Sequence, residues 1–106
     1  MSFKNSKEIT PQQVAERLKN GETLTMLDVR ENTEWVKGHV IGAKHIPLGQ
    51  LLMRTDELDP NSEMIVMCLS GGRSGLACEL LSEKGYNVVN MTGGLGAWSD
   101  DFLVRE

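Results

Sequence analysis

Apolar and polar positions fall along this chain in short blocks, and each block has its own period. In Thr10-Pro11-Gln12-Gln13 a threonine precedes a glutamine by three residues, with proline at the first helical position; Val14, Ala15 and Leu18 then form a stripe closed by Gly21. A capping box of this kind predicts a helix. Leu24 to Val29 is a short apolar run ending in Asp28-Val29-Arg30. It is too short for a helix and predicts a buried strand with charge at its carboxyl end. Glu31 to Lys37 predicts one or two helical turns stopped by Gly38. Val40 to Ile46 carries a strand signal broken by Gly42, and Pro47 opens a short helix over Leu48 to Met53.

The second half repeats the alternation more plainly. Met64 to Met67 predicts a buried strand, and Ser74 to Lys84 a helix with Leu76, Ala77, Leu80 and Leu81 on one face and Gly85 as its stop. Val88 to Met91 predicts another strand, and Gly93 to Phe102 a Gly-rich turn into a last short helix. Strands that are apolar throughout, separated by helices, call for a parallel sheet covered on both faces, so the fold class is α/β. With no internal repeat and no linker, residues 1–106 are expected to form a single domain. Open parallel sheets bind ligands at the carboxyl ends of their strands, which directs attention to the residues after Met67.

Composition narrows the partners. The 106 residues are 40% hydrophobic, enough for one continuous core, and 11 basic against 15 acidic residues give a net charge of −4. No Lys/Arg run exists to track a phosphate backbone, so nucleic acid is not an expected partner. No apolar stretch approaches the about 20 residues needed to span a bilayer, and Met1 to Glu8 lacks a signal-peptide core. A soluble, cytoplasmic chain with no membrane partner is therefore expected, and its small size with no evident exposed apolar stripe makes a monomer the expected state. Two cysteines, Cys68 and Cys78, make a poor disulfide framework and lack Cys-x-x-Cys spacing. In a reducing compartment both remain thiols.

The segment Ile65-Val66-Met67-Cys68-Leu69-Ser70-Gly71-Gly72-Arg73-Ser74 is the one with chemistry in it. A strand delivers Cys68, Gly71 and Gly72 let the backbone turn its N–H groups inward, and the next helix points its positive end at the sulfur. All three favour thiolate over thiol. Nucleotide loops do not fit: Gly72-Arg73-Ser74 has arginine where a Walker loop has lysine, with Met67 at its leading glycine position, and no Gly-x-Gly-x-x-Gly can be laid on the glycines. Cysteine phosphatases place an arginine six positions after the cysteine; here Arg73 comes at five, and Met67 stands where such enzymes tend to carry histidine. A ring one residue tighter suits a smaller reacting group, such as one sulfur bonded to the cysteine.

Other residues have blander readings. Cys78 flanks the helical stripe and is expected to pack, with a resolving role towards Cys68 as the alternative. Asp28 and Arg30 are expected to tie loops together by ion pairing. His39 and His45 have no metal-ligand spacing, Trp35 and Trp98 are expected to pack, and the six methionines fill apolar positions.

The pattern Cys68-x-x-Gly71-x-Arg73-Ser74 after a buried strand resembles the loop of rhodanese-like sulfurtransferases. So do Leu27-Asp28-Val29-Arg30, Glu34 with Gly38-His39-Val40-Ile41-Gly42-Ala43, Ile46-Pro47, and Gly93-Gly94-Leu95-x-Ala97-Trp98, in family order. The resemblance implies a three-layer α/β/α fold with a five-stranded parallel sheet, and Cys68 as the carrier of a persulfide. The substrate loop would be Leu69, Ser70, Gly71, Gly72, Arg73 and Ser74, with Arg73 drawing in an anionic donor and Ser70 and Ser74 donating hydrogen bonds. Donors would be small sulfur compounds such as thiosulfate, or a protein persulfide; acceptors would be cyanide or a thiol. Neither cofactor nor metal is implied. A phosphatase or arsenate reductase on the same scaffold, and a non-catalytic interaction or sensing module, stand as alternatives.

Overall fold

The structure is a computed structural model that describes residues 7–99 and 101–105. Of the polar stretch Met1 to Glu8, only the last two residues lie within that range. Seven strands occur among the described residues: β1 (Glu8–Ile9), β2 (Thr25–Asp28), β3 (His39–Val40), β4 (Lys44–His45), β5 (Met64–Met67), β6 (Val88–Met91) and β7 (Leu103–Val104). Helices are α1 (Pro11–Lys19), α2 (Asn32–Trp35) and α3 (Gly72–Glu83), joined by 3-10 turns at Leu48–Met53, Thr55–Glu57 and Leu95–Ala97.

Five strands form one parallel sheet in the order β1-β6-β5-β2-β4. Its centre, β2 and β5, is made of the two segments whose side chains are buried on both faces: Met26 to Asp28 and Met64 to Met67. Alternation along these strands divides the core in two. Leu27, Val29, Met64, Val66, Cys68 and Val88 face one way, packing on Ala77 and Leu81 of α3 and on Leu51. Met26, Ile65, Met67, Val89 and Met91 face the other way, packing on Val14 and Leu18 of α1 and on Trp98 and Phe102. The result is the expected three-layer α/β/α arrangement, and it puts Cys68 on the α3 side.

The capping box on α1 is present as read, with the Gln13 N–H donating to Thr10 Oγ1 at 3.1 Å and the Thr10 N–H to Gln13 Oε1 at 2.9 Å. Elsewhere the boundaries differ from the sequence reading for local reasons. Gly42, at φ +86°, divides the Val40 to Ile46 segment into two pieces with different partners. β4 joins the sheet edge beside β2, while β3 pairs antiparallel with β7 outside the main sheet. Strands β1 and β7 are two residues each and carry no period, so no pattern announces them. Gly93 to Phe102, expected to turn into a short helix, has among its described residues only the 3-10 turn Leu95–Ala97.

Candidate active site

Cys68 directly succeeds β5 and is fully buried, its sulfur beneath the loop that leads into α3. The loop must reverse within three residues, and it does so at Gly71, which adopts φ +104° and caps α3. A side chain there would be strained by that conformation. Gly72 has no such requirement; it is the first residue of α3, with open space around it. Of the two glycines read as loop formers, Gly71 carries the turn.

This path places donors around the sulfur. The Gly71 N–H donates to Cys68 Sγ at 3.0 Å, and the Ser74 hydroxyl lies 3.4 Å from it. Burial pushes the thiol pKa up, but the hydrogen bonds that the Ser74 hydroxyl and the backbone N–H groups of Ser74, Gly71 and Ser70 give to the ionised sulfur outweigh it, and the net shift is downward from 9.0. A group of converging backbone donors at a helix start is a ready anion cradle.

The loop is held open from beneath by Gly93-Gly94-Leu95-Gly96. Leu95 N–H donates to the Cys68 carbonyl at 2.9 Å and Gly96 N–H to the Leu69 carbonyl at 2.8 Å. With those carbonyls drawn away, the N–H groups are left facing the sulfur. Gly94, at φ +58° and ψ −166°, sits so close that a Cβ on it would overlap the Leu69 carbonyl and press on that of Cys68. That close approach is the physical need for the second glycine of the pair.

Arg73 lies on the first turn of α3 and points back over α2. Its Nη1 and Nη2 donate to the two carboxylate oxygens of Glu34 at 2.6 and 2.8 Å, a bidentate pair with both side chains about a third exposed or less. The guanidinium holds the Glu34 carboxyl at a pKa of about 2 against the opposing effect of burial, and Arg73 is held charged in turn. Arg73, expected from the resemblance to draw in an anionic donor, is paired with Glu34 in the structure. Leu69 and Ser70 stand exposed at the outer lip of the loop, while Ser74 is buried beside the sulfur.

The remaining candidates fall into place around this centre. Asp28 and Arg30, both buried, pair at 2.8 Å; Arg30 also donates to the Gly38 and Glu34 carbonyls, so the ion pair ties the end of β2 to α2 and the turn after it. Trp35 stacks on both imidazoles, with ring centroids 3.6 Å from His39 and 4.6 Å from His45. The ring nitrogens of those histidines meet the Trp35 and Arg30 carbonyls. Trp98 packs in the α1-side core and donates to the Asp101 carbonyl. Cys78 packs against the α3-side core, and burial, then the charge on Cys68, pushes its pKa up to about 12. Among the described residues no group of three His, Cys, Asp or Glu is placed to hold a metal ion, and no helix is long and apolar enough to cross a membrane.

One residue of the site was missed by sequence reasoning. Asn90 projects from β6 on the face shared with Val88, accepts from Ser74 Oγ at 2.5 Å and donates to the Gly71 carbonyl at 3.4 Å. Its signal was present: a lone amide inside Val88-Val89-Asn90-Met91, an otherwise apolar strand.

The model of the rhodanese-like domain matches residues 10–101. The chain belongs to this family. Relatives named as sulfurtransferases are similar at 31% to 38% identity, among them the thiosulfate sulfurtransferase GlpE of Haemophilus influenzae, 38% identical over 92% of this chain and 90% of its own length. The Bacillus subtilis protein YrkF is 37% identical over 87% of this chain, which spans half of its length (50%). The crystal structure of a rhodanese-like domain protein from Staphylococcus aureus superposes with a TM-score of 0.89 at 29% identity, covering 94% of this chain and 98% of that one. The five-stranded parallel sheet is thus the rhodanese-like fold, and the Cys68 loop occupies the carboxyl end of its central strand.

Proposed function

We propose that this rhodanese-like chain moves sulfane sulfur by a two-step covalent reaction through Cys68. The Cys68 thiolate attacks the outer sulfur of a donor such as thiosulfate; the new S–S bond forms as the donor's own S–S bond breaks, and sulfite leaves with the electron pair. The persulfide anion on Cys68 is stabilised by the N–H groups of Ser70, Gly71 and Ser74. A nucleophilic acceptor, cyanide or a thiol, then takes the outer sulfur and returns Cys68 as thiolate. No separate base is needed, because the cradle itself favours ionisation.

The observation that carries this reading is the buried sulfur of Cys68 ringed by converging donors, with its pKa lowered in spite of burial. Arg73 would meet an anionic donor only by sharing its guanidinium with Glu34, so a thiosulfate dianion faces a paired mouth, and a protein persulfide is a second fitting donor. The same pairing disfavours a phosphatase, which needs its arginine free to grip phosphate oxygens. A reducing cytoplasmic setting, in which Cys68 stays a thiol, and a monomeric state complete the proposal.

Mass spectrometry after incubation with thiosulfate or an alkyl persulfide tests it. A gain of one sulfur, about 32 Da, mapped to Cys68 and lost in Cys68→Ser, is the expected result. Absence of an adduct with every donor tried would overturn the reading.

A further inference from the structure

The Ser74 hydroxyl has one proton and too many claims on it. Within reach of its oxygen are Cys68 Sγ at 3.4 Å, the Gly71 carbonyl at 3.2 Å and Asn90 Oδ1 at 2.5 Å. A hydroxyl donates once and accepts the rest. The order of distances gives the proton to Asn90, and the thiol form of Cys68 is consistent with that: the S–H donates to Ser74 Oγ, Ser74 donates to Asn90 Oδ1, and Asn90 Nδ2 donates to the Gly71 carbonyl.

That chain cannot survive a charged sulfur. Once the thiol proton has left to solvent, or a persulfide anion has formed, the sulfur only accepts, and Ser74 serves it best by turning its proton inward. Ser74 Oγ and Asn90 Oδ1 would then face each other with no proton between them. The conflict is removed if the Asn90 amide makes half a turn, because Nδ2 then donates to Ser74 Oγ while Ser74 donates to sulfur. The half turn replaces the 3.4 Å donation to the Gly71 carbonyl by an oxygen–oxygen contact, a cost set against the charge-assisted bond gained at sulfur, while that carbonyl keeps the Gly75 N–H at 3.0 Å.

We propose that Asn90 is a positioning residue whose amide, by presenting either its oxygen or its nitrogen to Ser74, sets whether the Ser74 hydroxyl stabilises a charged sulfur on Cys68. An amide is the side chain that suits both states, since its two ends are nearly the same shape and opposite in hydrogen-bonding character. A carboxylate at this position only accepts, and would hold the Ser74 proton away from sulfur permanently. An alanine makes no claim, and would release the proton to sulfur. As regards turnover the inference rests on the sulfur-transfer reading; as regards the thiolate it does not.

The charged and titratable groups near this network are few. On α3, Arg73 and Cys78 sense the charge on Cys68. Arg73 is paired with Glu34 of α2, Asp28 of β2 is closed on Arg30, and Glu8 of β1 lies beside Asn90 in register.

The test is the pH dependence of Cys68 alkylation by iodoacetamide, read by intact mass, in the wild-type chain, Asn90→Asp, Asn90→Ala, and each again on Ser74→Ala. Asn90→Asp should slow alkylation at pH 6.5 about tenfold, the equivalent of one pKa unit. Asn90→Ala should alkylate faster than the wild-type chain, since no oxygen then competes for the Ser74 proton, and on Ser74→Ala the effect of the aspartate should shrink at least threefold. A merely structural Asn90 would have both variants shift in the same direction. Either that result, or an aspartate effect undiminished on Ser74→Ala, which would mean charge acting through space, overturns the proposal. If Asn90→Asp does not fold, faster alkylation in Asn90→Ala that is abolished on Ser74→Ala supports it, and an unchanged or slower rate, or a gain that persists on Ser74→Ala, overturns it. Sulfur loading is measured on the same wild-type sample, so an alkylation contrast without any about 32 Da adduct separates failure of the sulfur-transfer reading from failure of this one.

Discussion

Glu34 is where the chemistry of the mouth is decided by one side chain. Its folded pKa of about 2 lies below the ordinary 4.5, chiefly because Arg73 donates to it. For a carboxylate with a depressed folded pKa, the stabilising contribution is present above the unfolded value and lost as pH falls from 4.5 through about 2. Because the pair is partly exposed, that contribution is small, about 0.2–1 kcal/mol. Thermal melts between pH 6 and pH 2 should therefore show a shallower acid loss in Glu34→Gln than in the wild-type chain. An equal loss in both would show that the pair contributes nothing. The same substitution leaves Arg73 without a counter-ion, so in the proposed reaction KM for thiosulfate should fall several-fold and the gain should fade at high salt. Arg73 was legible as a loop residue from its spacing to Cys68, and Glu34 from its place in a motif, but their pairing was not. Thirty-nine residues separate them, and no local period links α2 to α3.

At the scale of elements, the loop after β6 does as much for the site as the loop after β5. It holds no substrate in the proposed reaction, yet it fixes the Cys68 and Leu69 carbonyls through the N–H groups of Leu95 and Gly96. Gly94→Ala tests that dependence. Its backbone lies in a region open essentially to glycine alone, which costs about 1–3 kcal/mol for any other residue, and the added methyl meets the Leu69 carbonyl. Urea unfolding should show a loss of at least this size, and in the folded protein Cys68 alkylation should slow as the cradle is displaced. Unchanged reactivity at full folding would detach the two loops functionally. The sequence displayed this element as a Gly-Gly pair and a motif, which marks a turn but says nothing of what the turn touches. Asn90 is the reverse case: the strand that carries it, Val88 to Met91, was predicted, while its role needed the distance to Ser74. Strands β1 and β7 escaped for a simpler reason, since two residues cannot display a period of two.

Over the whole molecule, what could be read from the chain was the part governed by burial. Met64 to Met67 and Met26 to Asp28 are enclosed on both faces, so the short, mostly apolar runs that hold them, alternating with helix signals, were enough to name a parallel sheet. The order of strands was not written there, because crossover connections leave no mark on composition; the resemblance implied five parallel strands, and the structure supplied the order β1-β6-β5-β2-β4. The sheet divides the core into two clusters, and that division has a measurable consequence. Ile46 belongs to the α3-side cluster and Ile65 to the α1-side cluster, both buried. Ile46→Val and Ile65→Val should each cost about 0.5–1.5 kcal/mol in urea unfolding. Having no shared packing partners across the sheet, they should combine additively to within about 0.5 kcal/mol. A coupling well above that would mean that the sheet transmits packing strain from one face to the other. Alkylation of Cys68, on the Ile46 side, would then respond to changes made beneath α1; additivity instead leaves the sulfur site answerable only to the α3-side core and to the two loops that enclose it.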